Sequence, residues 1–118
     1  SVDRFVLSKL NEVRLQPNEP VSKAELIRRV TIDVIGLPPT ADDVEEFAQD
    51  SRPDAYERLL DRLLANPHYG ERWGRRWLDL ARFAESHGFE HDYDRPSAYH
   101  YRDFVVQALN AGMPYDQF

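Results

Sequence analysis

The 118 residues suffice for one domain with a single core, and the lack of cysteine excludes disulfides, iron–sulfur ligation, thiolate zinc and covalent c-type haem attachment within the chain. A net charge of −6 argues against the basic stripe of a nucleic-acid surface, so no nucleic-acid partner is expected. No apolar run approaches the ~18 residues of a spanning helix, so no membrane insertion by this segment is expected, and no basic-then-apolar signal segment opens it.

Val2, Phe5, Val6, Leu10 and Val13 recur at helical spacing, which predicts a first amphipathic helix over residues 2–15, ended by Pro17 and Pro20. Ser22 with Glu25 three residues on is a capping-box pattern opening a second helix. Its apolar face carries Leu26, Ile27, Val30 and Val34, and Gly36 with Pro38-Pro39 stops it. The β-branched run Val30–Ile35 has a strand as its alternative, but the cap before it and the glycine after it favour helix. Thr40 caps a short third helix with Val44 and Phe47 inward, whose acids Asp42, Asp43, Glu45 and Glu46 crowd the positive end of the helix dipole.

Pro53-Asp54 opens a fourth helix with the cleanest stripe in the chain, Tyr56, Leu59, Leu60, Leu63 and Leu64, ended by Asn66-Pro67. A fifth begins near Tyr69, with Trp73, Trp77, Leu80, Ala81 and Ala84 on one face. Arg72, Arg75, Arg76 and Arg82 fall away from that face. The spacings Glu71–Arg75, Arg75–Asp79 and Asp79–Arg82 suggest a salt-bridged solvent face, with an anion-binding groove as the alternative. Pro96 or Ser97 starts a sixth helix through Tyr101, Phe104, Val105, Ala108 and Leu109, closed by Asn110 and Gly112. The expected fold is all-α, about six helices in a compact orthogonal or antiparallel bundle, because short connections make neighbours antiparallel.

The stretch from His68 to Asp103 holds both tryptophans and all four histidines. Within it, residues 86–95 read as an irregular loop. From Glu85 to Asp94 come four acids and two histidines. Carboxylates and imidazoles are metal ligands, so His87, Glu90, His91, Asp92 and His100 are the candidate set for a divalent metal. The signal is compositional: Gly88 interrupts a helical His-x-x-x-His, and neither the zincin motif nor the calcium-loop ladder is present. Phe89, Tyr93, Arg95, Tyr99 and Arg102 are the candidate ligand-binding set, aromatics to stack on sugar rings and guanidinium groups for anionic substituents. The structural alternative pairs the loop carboxylates with Arg82, Arg95 and Arg102. His100 with Asp103 lacks a placed nucleophile, since Ser86 and Ser97 carry no elbow signature. No catalytic residue is assigned. Trp73 and Trp77 are expected to be substantially buried, and residues 86–95 to be the most exposed and irregular stretch outside the termini.

In order and spacing, VDRFVLSKL, LIRRVTIDVIGLPPTADDVEEF, DAYERLLDRLLANPHYGERWGRRWLDLARFAES and DYDRPSAYHYRDFVVQALNAGMPYDQF resemble the cytochrome c-associated domain of unknown function typical of planctomycetes. The resemblance covers nearly the whole chain. It implies an extracytoplasmic setting, a longer multidomain parent in which residues 1–118 form a single helical domain, and neighbouring domains of the same polypeptide as partners. It implies haem only in a preceding cytochrome-like domain, none in this chain, and a loose association with polysaccharide breakdown. It supplies no catalytic residues. The leading expectation is a non-catalytic accessory or interaction module. The alternatives are a metal-dependent enzyme or half-site on residues 85–103 and a carbohydrate or sulfated-glycan binding module.

Overall fold

The computed structural model describes residues 1–118 and contains α1 (Val2–Glu12), α2 (Lys23–Ile35), α3 (Ala41–Gln49), α4 (Ala55–Leu64), α5 (His68–Leu80) and α6 (Tyr99–Asn110). A single 3-10 turn, Phe89–His91, lies between α5 and α6, and there is no β-strand. The six helices and the all-α class are those the periodicity predicts.

The helix signals act locally as written. The Ser22 hydroxyl accepts the Glu25 amide while the Glu25 carboxylate accepts the Ser22 amide, and Thr40 and Asp43 repeat that reciprocal box at α3. Two otherwise unpaired amides are satisfied at each start. Gly36 stops α2 at φ 78°, a left-handed conformation that costs glycine nothing. The Arg72 side chain lies across it: a Cβ at Gly36 would sit 2.9 Å from Arg72 Cδ. The β-branched run at the end of α2 is helical. Its Thr31, buried there, satisfies its hydroxyl by donating to the Ile27 carbonyl oxygen at 2.7 Å.

α2 is the hub, packing on α3, α4 and α5, and α6 packs on α5. The main core joins Ile27 and Ile35 of α2 to Phe47 of α3 and Ala55, Leu59 and Leu63 of α4, with Tyr69 of α5 packed against them. A second buried layer is the α5–α6 seam. There Gly70, Gly74 and Leu78 face Val105 and Ala108. The glycines let the backbones approach: a Cβ at Gly70 would overlap the Val106 carbonyl oxygen and lie 2.7 Å from Asn110 Cγ. Asn110 fastens the seam by accepting the Gly70 amide at 2.7 Å and donating to the Pro67 carbonyl oxygen at 2.9 Å.

This seam corrects the expectation for α5. Trp73 and Trp77 are half-buried, Leu80 is 79% exposed, and Ala84 lies beyond the helix end. The innermost face is the one carrying two glycines, because a helix with no Cβ at i and i+4 can come closer to a neighbour than indoles allow. The tryptophans flank the contact.

α1 stands apart from the bundle. It ends at Glu12 rather than near residue 15, closed by Arg14 at φ 57° and a Leu15 amide donating to the Leu10 carbonyl oxygen. None of its residues is buried. The radius of gyration is 19.7 Å, against about 13–14 Å for a compact chain of this length.

Candidate functional site

The loop after α5 is an ordered arch. α5 ends with Arg82 at φ 53° and the Phe83 amide donating to the Leu78 carbonyl oxygen at 2.9 Å, a Schellman closure with arginine where glycine usually sits. The chain then doubles back. The Arg95 amide donates to the Glu85 carbonyl oxygen at 2.7 Å and the His87 amide to that of Tyr93 at 3.0 Å, with Ser86 and Asp94 bridged antiparallel. The Gly88 amide donates to Asp92 Oδ1 at 2.9 Å across the tip. Phe89 sits there 90% exposed at φ 64°, a costly conformation for an aromatic residue. As expected, residues 87–95 are all exposed, with Ser86 half-buried at the foot of the arch.

The candidate metal ligands do not converge. His87 Nδ1 donates to the Tyr93 carbonyl oxygen at 3.0 Å, and the His91 ring stacks on Tyr93 with centroids 5.9 Å apart. Asp92 is occupied by the Gly88 amide. His100 lies in the first turn of α6 against the Tyr99 ring, and Glu90 is an exposed residue of the 3-10 turn. No group of three or more His, Cys, Asp or Glu side chains is arranged to hold a metal ion.

The candidate ligand set divides in two. Arg95, Tyr99 and Arg102 line a cleft of about 470 Å³ with Glu85, Asp94 and Pro96, whereas Phe89 and Tyr93 belong to the arch. Arg102 is already engaged, donating to Glu85 Oε1 at 2.5 Å and to Asp103 Oδ1 at 3.2 Å. The pairing of loop carboxylate with Arg102 is therefore present.

The arginine face of α5 differs from the expected ion-pair ladder, for none of its three pairs closes within 4.0 Å. Glu71 pairs with His68 Nδ1 at 2.9 Å. Arg72 is drawn over Gly36, where its Nε is buried without a hydrogen-bond partner. The Arg76 guanidinium lies 4.9 Å from the Trp73 ring centroid, within cation–π range. Surface pairs contribute little in any case, so packing of the arginine stems decides the rotamers.

The most coherent concave surface is one the periodicity did not announce. Tyr69, Trp73, Trp77 and Leu80 of α5, Ala108 and Leu109 of α6, and Met113, Tyr115 and Phe118 of the C-terminal segment line a groove of about 340 Å³; Arg76 is its one charged residue. Trp77 packs against Tyr115 and Phe118 of this lining. Its Nε1 donates to the Tyr101 hydroxyl at 2.8 Å, and the Phe118 ring meets it edge-on with centroids 4.9 Å apart. Phe118 also stacks on Phe104 at 5.5 Å. Trp73 Nε1 donates to the Val34 carbonyl oxygen at 3.1 Å, tying the groove to the end of α2. Both indole donors are thus satisfied, and the rings already pack within the chain, Trp73 against Tyr69 and Arg76, Trp77 against Tyr115 and Phe118. A larger hollow of about 650 Å³ along α2 is bordered equally by charged residues, Glu25, Arg28, Arg29 and Asp33, and by apolar ones, with Tyr56 as its one aromatic.

No helix is long and apolar enough to cross a membrane. The family described as PSCyt2, protein of unknown function (DUF1549), matches residues 1–118. No curated protein and no solved structure matches the chain.

Proposed function

Because the chain belongs to the PSCyt2 family, whose function is unknown, its role has to be read from its surfaces, and we propose that it is a non-catalytic helical interaction module that binds an amphipathic helix along the α5–α6 groove. The observation that carries this is the groove's composition: nine of its ten lining residues are apolar. Water in such a groove is readily displaced by apolar side chains, and Trp, Tyr and Arg are the residue types that dominate binding energy at interfaces. Helix-in-groove docking uses this kind of surface. The setting in this proposal is extracytoplasmic, as one domain of a longer polypeptide beside a cytochrome-like domain that carries the haem. The family resemblance supports that setting.

The metal and glycan alternatives rest on the residue types of the arch. The first lacks a converged ligand set, and the second shares its cleft with the Arg102–Glu85 pair. Titration with synthetic amphipathic helical peptides, followed by tryptophan emission, tests the proposal. A saturable blue shift that Leu80→Asp removes is expected. No shift with any peptide, or turnover of a glycan or ester by the domain that a single arch substitution abolishes, overturns it.

A further inference from the structure

We infer that the Arg14–Leu15 bond is a cleavage site for an arginine-specific endopeptidase of the trypsin type, where one cut separates α1 and leaves α2–α6 intact. Three observations converge on this bond.

The first is the side chain that such an enzyme reads. Arg14 is exposed and has no carboxylate within 4.0 Å. A trypsin-type specificity pocket carries a carboxylate that receives one such cation. The basic residues on either side are engaged. Lys9 pairs with Glu12 at 2.7 Å inside α1, and Lys23 donates to the Asp50 carbonyl oxygen with its ammonium 5.6 Å from the Phe47 ring centroid.

The second is the backbone around the bond. Residues 11–20 are all exposed, and from Gln16 to Val21 no amide donates to a backbone oxygen. Pro17 and Pro20 favour an extended chain there. Sensitivity to a protease follows the burial and hydrogen bonding of the backbone that must be drawn into its site. Here there is little of either to give up.

The third is a comparison of two helix ends. Arg14 and Arg82 form the same left-handed closure, at φ 57° and 53°. In each the next amide donates back into the helix at 2.9 Å, Leu15 to the Leu10 carbonyl oxygen and Phe83 to that of Leu78. Arg82 ends a helix packed on α2 and α6, and the half-buried Phe83 ring beside it lies 6.2 Å from that of Tyr101. Opening that closure pulls on the seam. α1 has 11 residues, none of them buried, and a helix that short is marginal in water on its own. Its last turn therefore opens without disturbing the core. Cleavage of a transiently opened segment tracks the population of the open form, so one arginine is available and the other is protected. Hydrolysis adds one water across the C–N bond, leaving a carboxylate on Arg14 and an amine on Leu15, both among exposed residues.

Limited digestion of the 118-residue chain with trypsin, read by mass spectrometry, tests this. The first cut is expected after Arg14, and the product beginning at Leu15 should persist and melt at the temperature of the intact chain. Arg82→Gln should leave that first cut unchanged. Arg14→Gln should remove it and prolong the life of the intact chain. A first cut after Arg82 or at any other site, Arg4 and Lys9 within α1 included, overturns the inference. So does a product that melts below the intact chain, or an Arg14→Gln chain that is lost as fast as the wild type.

Discussion

α1 and α4 are two short amphipathic helices of similar length with opposite fates. In α4, Leu59 and Leu63 are 4% and 5% exposed beneath α2 and α3; in α1, Val2 and Phe5 are 77% and 78% exposed. The apolar period of a sequence states that a face needs cover. It does not state what provides it. For α4 the cover is the same chain, and in α1 the face is left open.

The sharpest way to break that contrast is a pair of truncations. Leu59→Ala should cost about 2–5 kcal/mol in denaturant melts, as buried leucines do. Phe5→Ala should stay within about 0.5 kcal/mol. Equal losses would place α1 inside the folding unit.

The seam offers the next largest effect. Gly70→Ala drives a Cβ into the Val106 carbonyl oxygen, and overpacking of this kind costs about 1–3 kcal/mol, partly offset by alanine's better helix propensity. A stabilised variant would show that α5 and α6 are not held at backbone contact. Arg82→Gly should act the other way, raising stability by about 0.5–1 kcal/mol, because it relieves a left-handed arginine at the helix end. A loss would mean that the arginine side chain has a role that its backbone strain serves.

A smaller effect sharpens the α2–α3 side. The Thr40 hydroxyl donates to Asp43 at 2.6 Å, and with the Thr40 amide and Arg62 it holds the Asp43 carboxyl below its ordinary value of 3.8. A depressed carboxyl contributes stability that is present above its unfolded value and lost as pH falls through the folded one. The melting-temperature gap between wild type and Asp43→Asn should therefore close on acidification below about pH 4. A gap that widens in acid would contradict this sign.

Much of the fold was legible because the helix signals are local. Ser22 with Glu25, Thr40 with Asp43, and Gly36 act within a few residues of where they stand. The arch was legible as irregular and exposed, since Gly88 and its charges break the apolar period. The inward face of α5 was not. Two indoles outweigh two glycines in any reading by hydrophobicity, yet Gly70 and Gly74 set how closely α6 can approach. Once α6 is seated there, Trp73 and Trp77 are left beside the seam. The groove was hidden for the same reason, for it exists only when Met113, Tyr115 and Phe118 fold back beside the tryptophans. The metal and glycan candidates were chosen by residue type, and the arch uses its histidines and Asp92 to hold its own shape.

Hydrogen–deuterium exchange of the α1 and α4 amides tests the central contrast most directly. The α4 amides should be protected. The α1 amides should exchange almost freely. α1 amides protected as strongly as those of α4 would contradict it, because α1 would then be covered.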